Sequence, residues 1–156
     1  MSKCRDYALG YITFKDRTEK EIFEKLSQKG FSEEEIDETV QFLKEYRYVD
    51  DESYAVRFIS DAVKLKKWGK ARIRSELLRR GISSDIVEKA IDEKICDSSE
   101  ILLEEMSRRF EGADLSNIKE RNRIFGYFAR RGFAPGEIRG AMNTMCSFAD
   151  IIDYEE

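Results

Sequence analysis

Ile73-Arg74-Ser75-Glu76-Leu77-Leu78-Arg79-Arg80-Gly81-Ile82 carries a pattern that occurs three times in the chain. Gly30, Gly81 and Gly132 stand 51 residues apart both times, and self-similarity at such a period is the mark of a repeat architecture. Eight residues before each glycine is an isoleucine, Ile22, Ile73 or Ile124, and four before it is a larger apolar residue, Leu26, Leu77 or Phe128. That spacing places the two on one helical face. A base precedes each glycine (Lys29, Arg80, Arg131) and an apolar residue follows it (Phe31, Ile82, Phe133). A cation in the last turn with glycine just beyond predicts a helix end, because the cation meets the negative end of the dipole and glycine tolerates a left-handed backbone.

A second helix follows each glycine. Ile36, Val87 and Ile138 stand four residues before Val40, Ile91 and Met142, again one turn apart. Ser32 with Glu35 forms a capping-box pattern, Ser83 holds the same offset, and Pro135 falls in a first turn, where its missing N–H is not needed. Ahead of each pair lies a third amphipathic stretch: Tyr7 to Ile12, Tyr54 to Ile59, and Ile101 to Met106. Thr18 with Glu21 forms another capping box, and Asp50-Asp51 supplies an N-cap. The expected fold is all-α: a tandem array of three three-helix repeats, elongated or curved, over residues 1–48, 49–97 and 98–156. Units of this size bury too little surface to be very stable alone, so neighbours are expected to share apolar faces. The links around Tyr48-Val49-Asp50 and Cys96-Asp97-Ser98-Ser99 are short, which predicts limited hinge motion.

Composition narrows the function. The 156 residues are 41% hydrophobic and 38% charged with one proline, which gives a folded chain with a thin core and much solvated surface. There is no histidine, which excludes His-based acid–base catalysis and Ser-His or Cys-His dyads. Cys4, Cys96 and Cys146 match neither a paired zinc motif nor a disulfide framework and read as reduced, packed thiols. No apolar run approaches the roughly 18 residues of a membrane span, and no signal peptide opens the chain, so a cytoplasmic protein is expected. Gly69-Lys70 lacks the upstream glycine and following hydroxyl of a phosphate loop. Asp50, Asp51 and Glu52 read as helix-start residues, with no nucleophile or ligand set beside them. Neither an enzyme nor a cofactor is expected.

The net charge of −4 conceals an uneven distribution. From Lys64 to Arg80 stand eight basic residues, Lys64, Lys66, Lys67, Lys70, Arg72, Arg74, Arg79 and Arg80, against the single acid Glu76, with Trp68 among them. Cations at this density bind a polyanion through counterion release. The alternative is that they are solvated helix faces, with Trp68 closing a core. Arg108-Arg109 and Arg130-Arg131 read first as helix-end cations. A DNA-reading helix-turn-helix is disfavoured, because the helix from Glu33 is strongly acidic and the one from Ser84 nearly balanced.

Tyr48-Val49-Asp50-Asp51-Glu52-Ser53-Tyr54-Ala55, Lys67-Trp68-Gly69-Lys70-Ala71-Arg72-Ile73 and Glu76-Leu77-Leu78-Arg79-Arg80-Gly81-Ile82 together resemble the RecX family, regulators of the RecA recombinase. Arg17-Thr18-Glu19-Lys20-Glu21-Ile22 and Arg130-Arg131-Gly132-Phe133 extend the resemblance more loosely, so that it spans about residues 5 to 148. Val49 stands where the family has leucine, and Lys15 and Thr18 where it tends to arginine and serine. The resemblance implies a monomer of helical repeats lying in the groove of the RecA filament on single-stranded DNA. There it would limit ATP hydrolysis, strand exchange and filament growth in DNA repair and recombination. The expected contact residues are Lys64, Lys66, Lys67, Trp68, Lys70, Arg72, Arg74, Arg79 and Arg80, with weaker affinity for free single- or double-stranded DNA. A stand-alone nucleic-acid-binding protein is the alternative.

Overall fold

The computed structural model describes residues 2–95 and 97–154, with side chains to residue 147. Among the described residues there are nine α-helices, one π-helical turn and no strand. The first repeat holds α1 (Lys3–Thr13), α2 (Glu19–Gln28) and α3 (Glu33–Glu45). The second holds α4 (Asp51–Asp61), running into the π-helical turn Ala62–Lys66, then α5 (Lys70–Arg79) and α6 (Ser84–Lys94). The third holds α7 (Ser99–Arg109), α8 (Ile118–Arg130) and α9 (Pro135–Tyr154). Cys96, in the expected link, lies outside the described residues, as do Glu155 and Glu156.

The three glycines share one device. Gly30, Gly81 and Gly132 take φ of 89°, 89° and 96°, a left-handed conformation that L side chains rarely adopt. In each case the glycine N–H donates to the carbonyl three residues back: Ser27, Leu78 or Ala129. The next N–H, of Phe31, Ile82 or Phe133, donates five back to Leu26, Leu77 or Phe128. This pair of bonds is the Schellman closure of a helix, and it joins the two residues whose side chains pack together across the turn.

Capping chemistry fixes the helix starts. Ser32 and Glu35 form the reciprocal box at α3, and Pro135 is the first residue of α9. Thr18 accepts the N–H of Glu21 at 3.2 Å, while the Glu21 carboxylate pairs with Arg17 at 3.6 Å. The two adjacent aspartates divide their work. Asp50 accepts the Ser53 N–H at 3.2 Å and so caps its own helix, α4, whereas Asp51 accepts the Glu19 N–H at 3.1 Å and caps α2.

The chain divides into two compact units. The first comprises Met1–Ile59 with Ser75–Ile91 and the second Ser60–Arg74 with Asp92–Glu156. These units are not the sequence repeats, since their boundaries cut α4, α5 and α6 of the second repeat.

In the first unit, Cys4 and Ala8 of α1, Ile22 and Leu26 of α2, Ile36 and Leu43 of α3, and Val49 form one buried cluster. The repeat residues Ile22, Leu26 and Ile36 are therefore core, as their spacing predicts. In the second unit Leu102, Met106, Phe110, Leu115, Ile124, Phe128, Phe133, Ile138, Ala141 and Met142 form another. Phe128 sits centrally in it, edge-on to Phe110, Tyr127 and Phe133 at centroid distances of 5.9, 5.0 and 6.0 Å, the arrangement favoured by ring quadrupoles.

Each unit also contains one copy of a junction between successive repeats. In the first, the Thr18 hydroxyl donates to the Arg80 carbonyl at 2.7 Å. In the second, the Gly69 N–H donates to the Arg131 carbonyl at 2.7 Å and the Ala71 N–H to the Gly132 carbonyl at 3.1 Å. Thr18 and Gly69 are 51 residues apart, as are Arg80 and Arg131, so the same contact recurs with the period of the sequence. The start of the second helix in one repeat thus meets the glycine turn of the next.

Candidate functional site

The basic segment begins where α4 loses its regular winding. Over Ala62–Lys66 the backbone widens to a π-helical turn, which ends at Lys67 with φ 55° and ψ 49°. A left-handed lysine costs roughly 1–2 kcal/mol relative to a right-handed one, so the surrounding structure holds it. The Trp68 N–H donates back to the Ala62 carbonyl at 3.1 Å, and Gly69 then seats the chain against the α8–α9 turn. The net effect is a sharp exit from α4 that presents Lys64, Leu65 and Lys66 to solvent.

Trp68 is half-buried and is flanked by charge. The Lys66 ammonium lies 4.5 Å and the Arg72 guanidinium 4.2 Å from its ring centroid. Two further contacts tie these cations to the α8–α9 turn of the same unit. Arg72 Nη1 donates to the Arg130 carbonyl at 3.4 Å, and Arg131 Nη1 donates to the Lys66 carbonyl at 2.6 Å. Arg131 also lies 4.6 Å from the Tyr127 ring centroid. Lys66 and Arg72 thus flank the indole, Lys64, Lys67, Lys70 and Arg74 stand on the same stretch of chain, and Arg131 reaches it through the Lys66 carbonyl. Arg130 and Arg131 close α8, as the helix-end reading has them, with Arg130 in its last turn and Arg131 at its C-cap; the Arg131 guanidinium in addition reaches the basic segment.

Lys70 also acts electrostatically on Asp97. That carboxyl is held below the usual aspartate range chiefly by hydrogen bonds from the Ser99 hydroxyl and N–H, with Lys70 adding to them. Cations at this density suit the phosphate backbone of a nucleic acid or an acidic protein surface.

Arg79 and Arg80 belong to the first unit. Arg79 is exposed and pairs with Glu76 at 2.6 Å, one helical turn away. Arg80 is half-buried; it donates to the Tyr54 hydroxyl, and its guanidinium lies 4.7 Å from the Phe58 ring centroid. Its carbonyl receives Thr18. Arg80 thus has a packing role that its place in a cationic run did not disclose.

An open cleft of about 640 Å³ in the first unit is lined by Glu19, Lys44, Arg47, Val49, Asp50, Asp51, Glu52, Gly81, Ser83 and Ile86. Burial pushes the Asp51 carboxyl above its ordinary value, while the Ser53 hydrogen bonds hold Asp50 below. Both are occupied in capping. Among the described residues no group of three or more Cys, Asp or Glu side chains could hold a metal ion. Among them, too, no helix is long and apolar enough to cross a membrane. Cys4 and Cys146 are free thiols, Cys4 buried and Cys146 half-buried.

Comparison with known proteins adds a family. Residues 4–43 match the family model described as RecX, first three-helix domain, and residues 50–91 that described as RecX, second three-helix domain. The regulatory protein RecX of Chlorobium phaeobacteroides (strain BS1) is 30% identical over 143 residues, covering 92% of this chain and 93% of that protein. That of Caldanaerobacter subterraneus subsp. tengcongensis is 33% identical over 141 residues, covering 90% and 70%. Among solved structures, the crystal structure of RecX from Lactobacillus salivarius superposes with a TM-score of 0.75 at 23% identity, covering 91% of this chain and 94% of that one. At that identity the superposition speaks for the fold, while the sequence matches speak for kinship. The chain belongs to the RecX family of regulatory proteins.

Proposed function

We propose that this protein binds the RecA recombinase filament on single-stranded DNA and restrains it, lowering ATP hydrolysis, filament growth and strand exchange in DNA repair and recombination. It acts as a monomer in the cytoplasm, where that filament forms, and without a cofactor. The observation that carries the reading is family membership over more than nine-tenths of the chain, in a family whose members are named regulatory proteins. Two features of the molecule agree with it. The three repeats resemble one another enough to make similar contacts with successive subunits of a polymer, so modest affinities add through avidity. The cations around Trp68 give one of these repeats an electrostatic attraction to a DNA-bearing or acidic groove, despite the net negative charge.

The basic segment would by itself also suit a protein that binds nucleic acid without a recombinase. The test is ATP hydrolysis by RecA on single-stranded DNA as the protein is titrated in, with filament length followed in parallel. A fall in hydrolysis at substoichiometric protein, with shorter filaments, is the expected result. Unchanged hydrolysis at excess protein, together with tight binding to bare single-stranded DNA and a steep salt dependence, would replace this reading with the simpler one.

A further inference from the structure

The base before each repeat glycine has a recurring neighbour in two of the three repeats. In the first, the Lys29 ammonium lies 5.4 Å from the Tyr7 ring centroid, and in the second the Arg80 guanidinium lies 4.7 Å from that of Phe58. Tyr7 and Phe58 are 51 residues apart, as are Lys29 and Arg80, so one cation–ring contact joins the first helix of the repeat to the end of its second each time. The third repeat departs from this. The position 51 residues beyond Phe58 holds Arg109, the last residue of α7, so a second cation stands where the other repeats have the ring.

The ring comes from α8 instead. Tyr127 carries both guanidiniums, Arg109 at 4.7 Å and Arg131 at 4.6 Å from its centroid, and is packed edge-on against Phe110 and Phe128 at 5.4 and 5.0 Å. Among the described residues neither arginine pairs with a carboxylate. Arg108 takes Glu105 at 2.7 Å and Arg123 takes Glu120 at 3.0 Å, while Glu111, which lines the cleft beside Arg109, forms no ion pair with it. Arg131 commits one nitrogen to the Lys66 carbonyl. Arg109 is exposed and donates no hydrogen bond among the described residues.

Helix ends account for a cation on each helix, since α7 and α8 both finish here and their dipoles favour positive charge. They do not account for the exchange of a ring for an arginine at 109. Packing does not require that exchange either, because the other two repeats build the same corner with an aromatic residue.

We infer that Arg109 and Arg131, held on Tyr127, form a clamp for a phosphate group of a nucleic-acid backbone. A guanidinium presents parallel N–H donors that match the oxygens of a phosphate, and a packed ring that holds two of them in place reduces the freedom lost when the anion arrives. Continuity selects a polymer over a lone anion. Arg131 is bonded to the Lys66 carbonyl, and the Lys66 ammonium flanks Trp68 with Arg72, so the clamp extends a run of cations suited to a chain that carries a charge at every unit. The inference goes beyond the proposed function and does not depend on it, since bare nucleic acid reads it without the recombinase.

The test uses the full-length chain and a labelled single-stranded oligothymidine, titrated from low to moderate salt. Arg109→Phe gives the third repeat the ring of the other two, so thermal unfolding should match the parent. Its affinity for the oligonucleotide at low salt should fall about tenfold and its log-log salt slope should flatten by about 0.7, one single-strand phosphate. Arg131→Gln should act in the same sense. Lys119→Gln removes the same charge from the opposite end of α8 and should leave the slope as it is. Parental affinity and slope in Arg109→Phe overturn the inference, and so does an equal loss in Lys119→Gln, which would reduce the effect to net charge. Competition by inorganic phosphate beyond that of chloride at equal ionic strength would make a free anion the ligand. A parent that binds no oligonucleotide at low salt would leave the two arginines to an acidic protein surface and overturn the inference as well, without touching regulation of the filament. Should Arg109→Phe fold poorly, Arg109→Gln decides between the same outcomes.

Discussion

Gly69 lies against Gly132 so closely that a Cβ on Gly69 would overlap the Gly132 carbonyl. The contact is backbone on backbone, with the Gly69 N–H bonded to Arg131 one residue earlier. Neither segment can yield without breaking the Schellman turn or the start of α5. Gly69→Ala should therefore destabilise the protein by about 1–3 kcal/mol, the range of overpacked sites. Gly10→Ala is the control: it sits in α1 with open space around the added methyl, and should stabilise by about 0.5–1 kcal/mol through helix propensity. Urea unfolding of both variants checks the pair.

Thr18 tests the equivalent junction of the first unit. Its hydroxyl caps α2 through the Glu21 N–H and donates to the Arg80 carbonyl, and it is fully buried. Thr18→Val keeps the shape and loses both bonds, so the expected cost is about 2–3 kcal/mol, a cap plus a buried hydrogen bond. Thermal unfolding with no loss would show that the junction contributes nothing.

The two neighbouring aspartates should titrate in opposite senses. Burial raises the folded-state pKa of Asp51. Its contribution to stability is therefore fully present below the unfolded-state value and is lost as pH rises through the raised folded one. Asp50 is lowered by its Ser53 bonds, so its contribution is present above the unfolded value and is lost as pH falls through the folded one. Asp51→Asn keeps an oxygen to accept the Glu19 N–H and has no charge to desolvate. Relative to the parent, Asp51→Asn should gain stability from about pH 3 to pH 7, and Asp50→Asn should lose it over the same interval. Unfolding free energies across that range read both.

Charge reversal separates the lysines around Trp68 from Arg80, which packs between Tyr54 and Phe58. Lys66→Glu, Lys67→Glu and Lys70→Glu together should weaken filament binding in moderate salt. If the three lysines contact phosphates, the log-log salt slope should flatten by about 2, from roughly 0.7 per single-strand phosphate. Filament binding equal to the parent's would exclude these lysines from the contact. Arg80→Gln should behave differently, costing about 1 kcal/mol of stability through its lost bond to Tyr54 and contact with Phe58.

Much of this molecule is legible along the chain. The glycine period, the isoleucines eight residues earlier and the bases between them specify helix, turn and helix, because Schellman closure needs only local residues and a backbone free to take positive φ. Family kinship is legible too, since the Trp68-Gly69 and Arg80-Gly81 neighbourhoods are short and specific. The sequence also told where the cations lie, but not which of them are committed to packing. Arg79 and Arg80 are adjacent letters, yet one is exposed beside Glu76 and the other is half-buried between Tyr54 and Phe58.

That distinction, like the reach of Asp51 to α2 and the exposure of Phe14, Leu65 and Ile118, is set by contacts between residues distant in the chain. The glycine-closed helix ends are local in cause, because the bonds that close them span only a few residues. Which face of a helix is covered, and by what, follows only when separate helices pack, and an apolar residue at a helix end reads the same whether it will be buried or left in water.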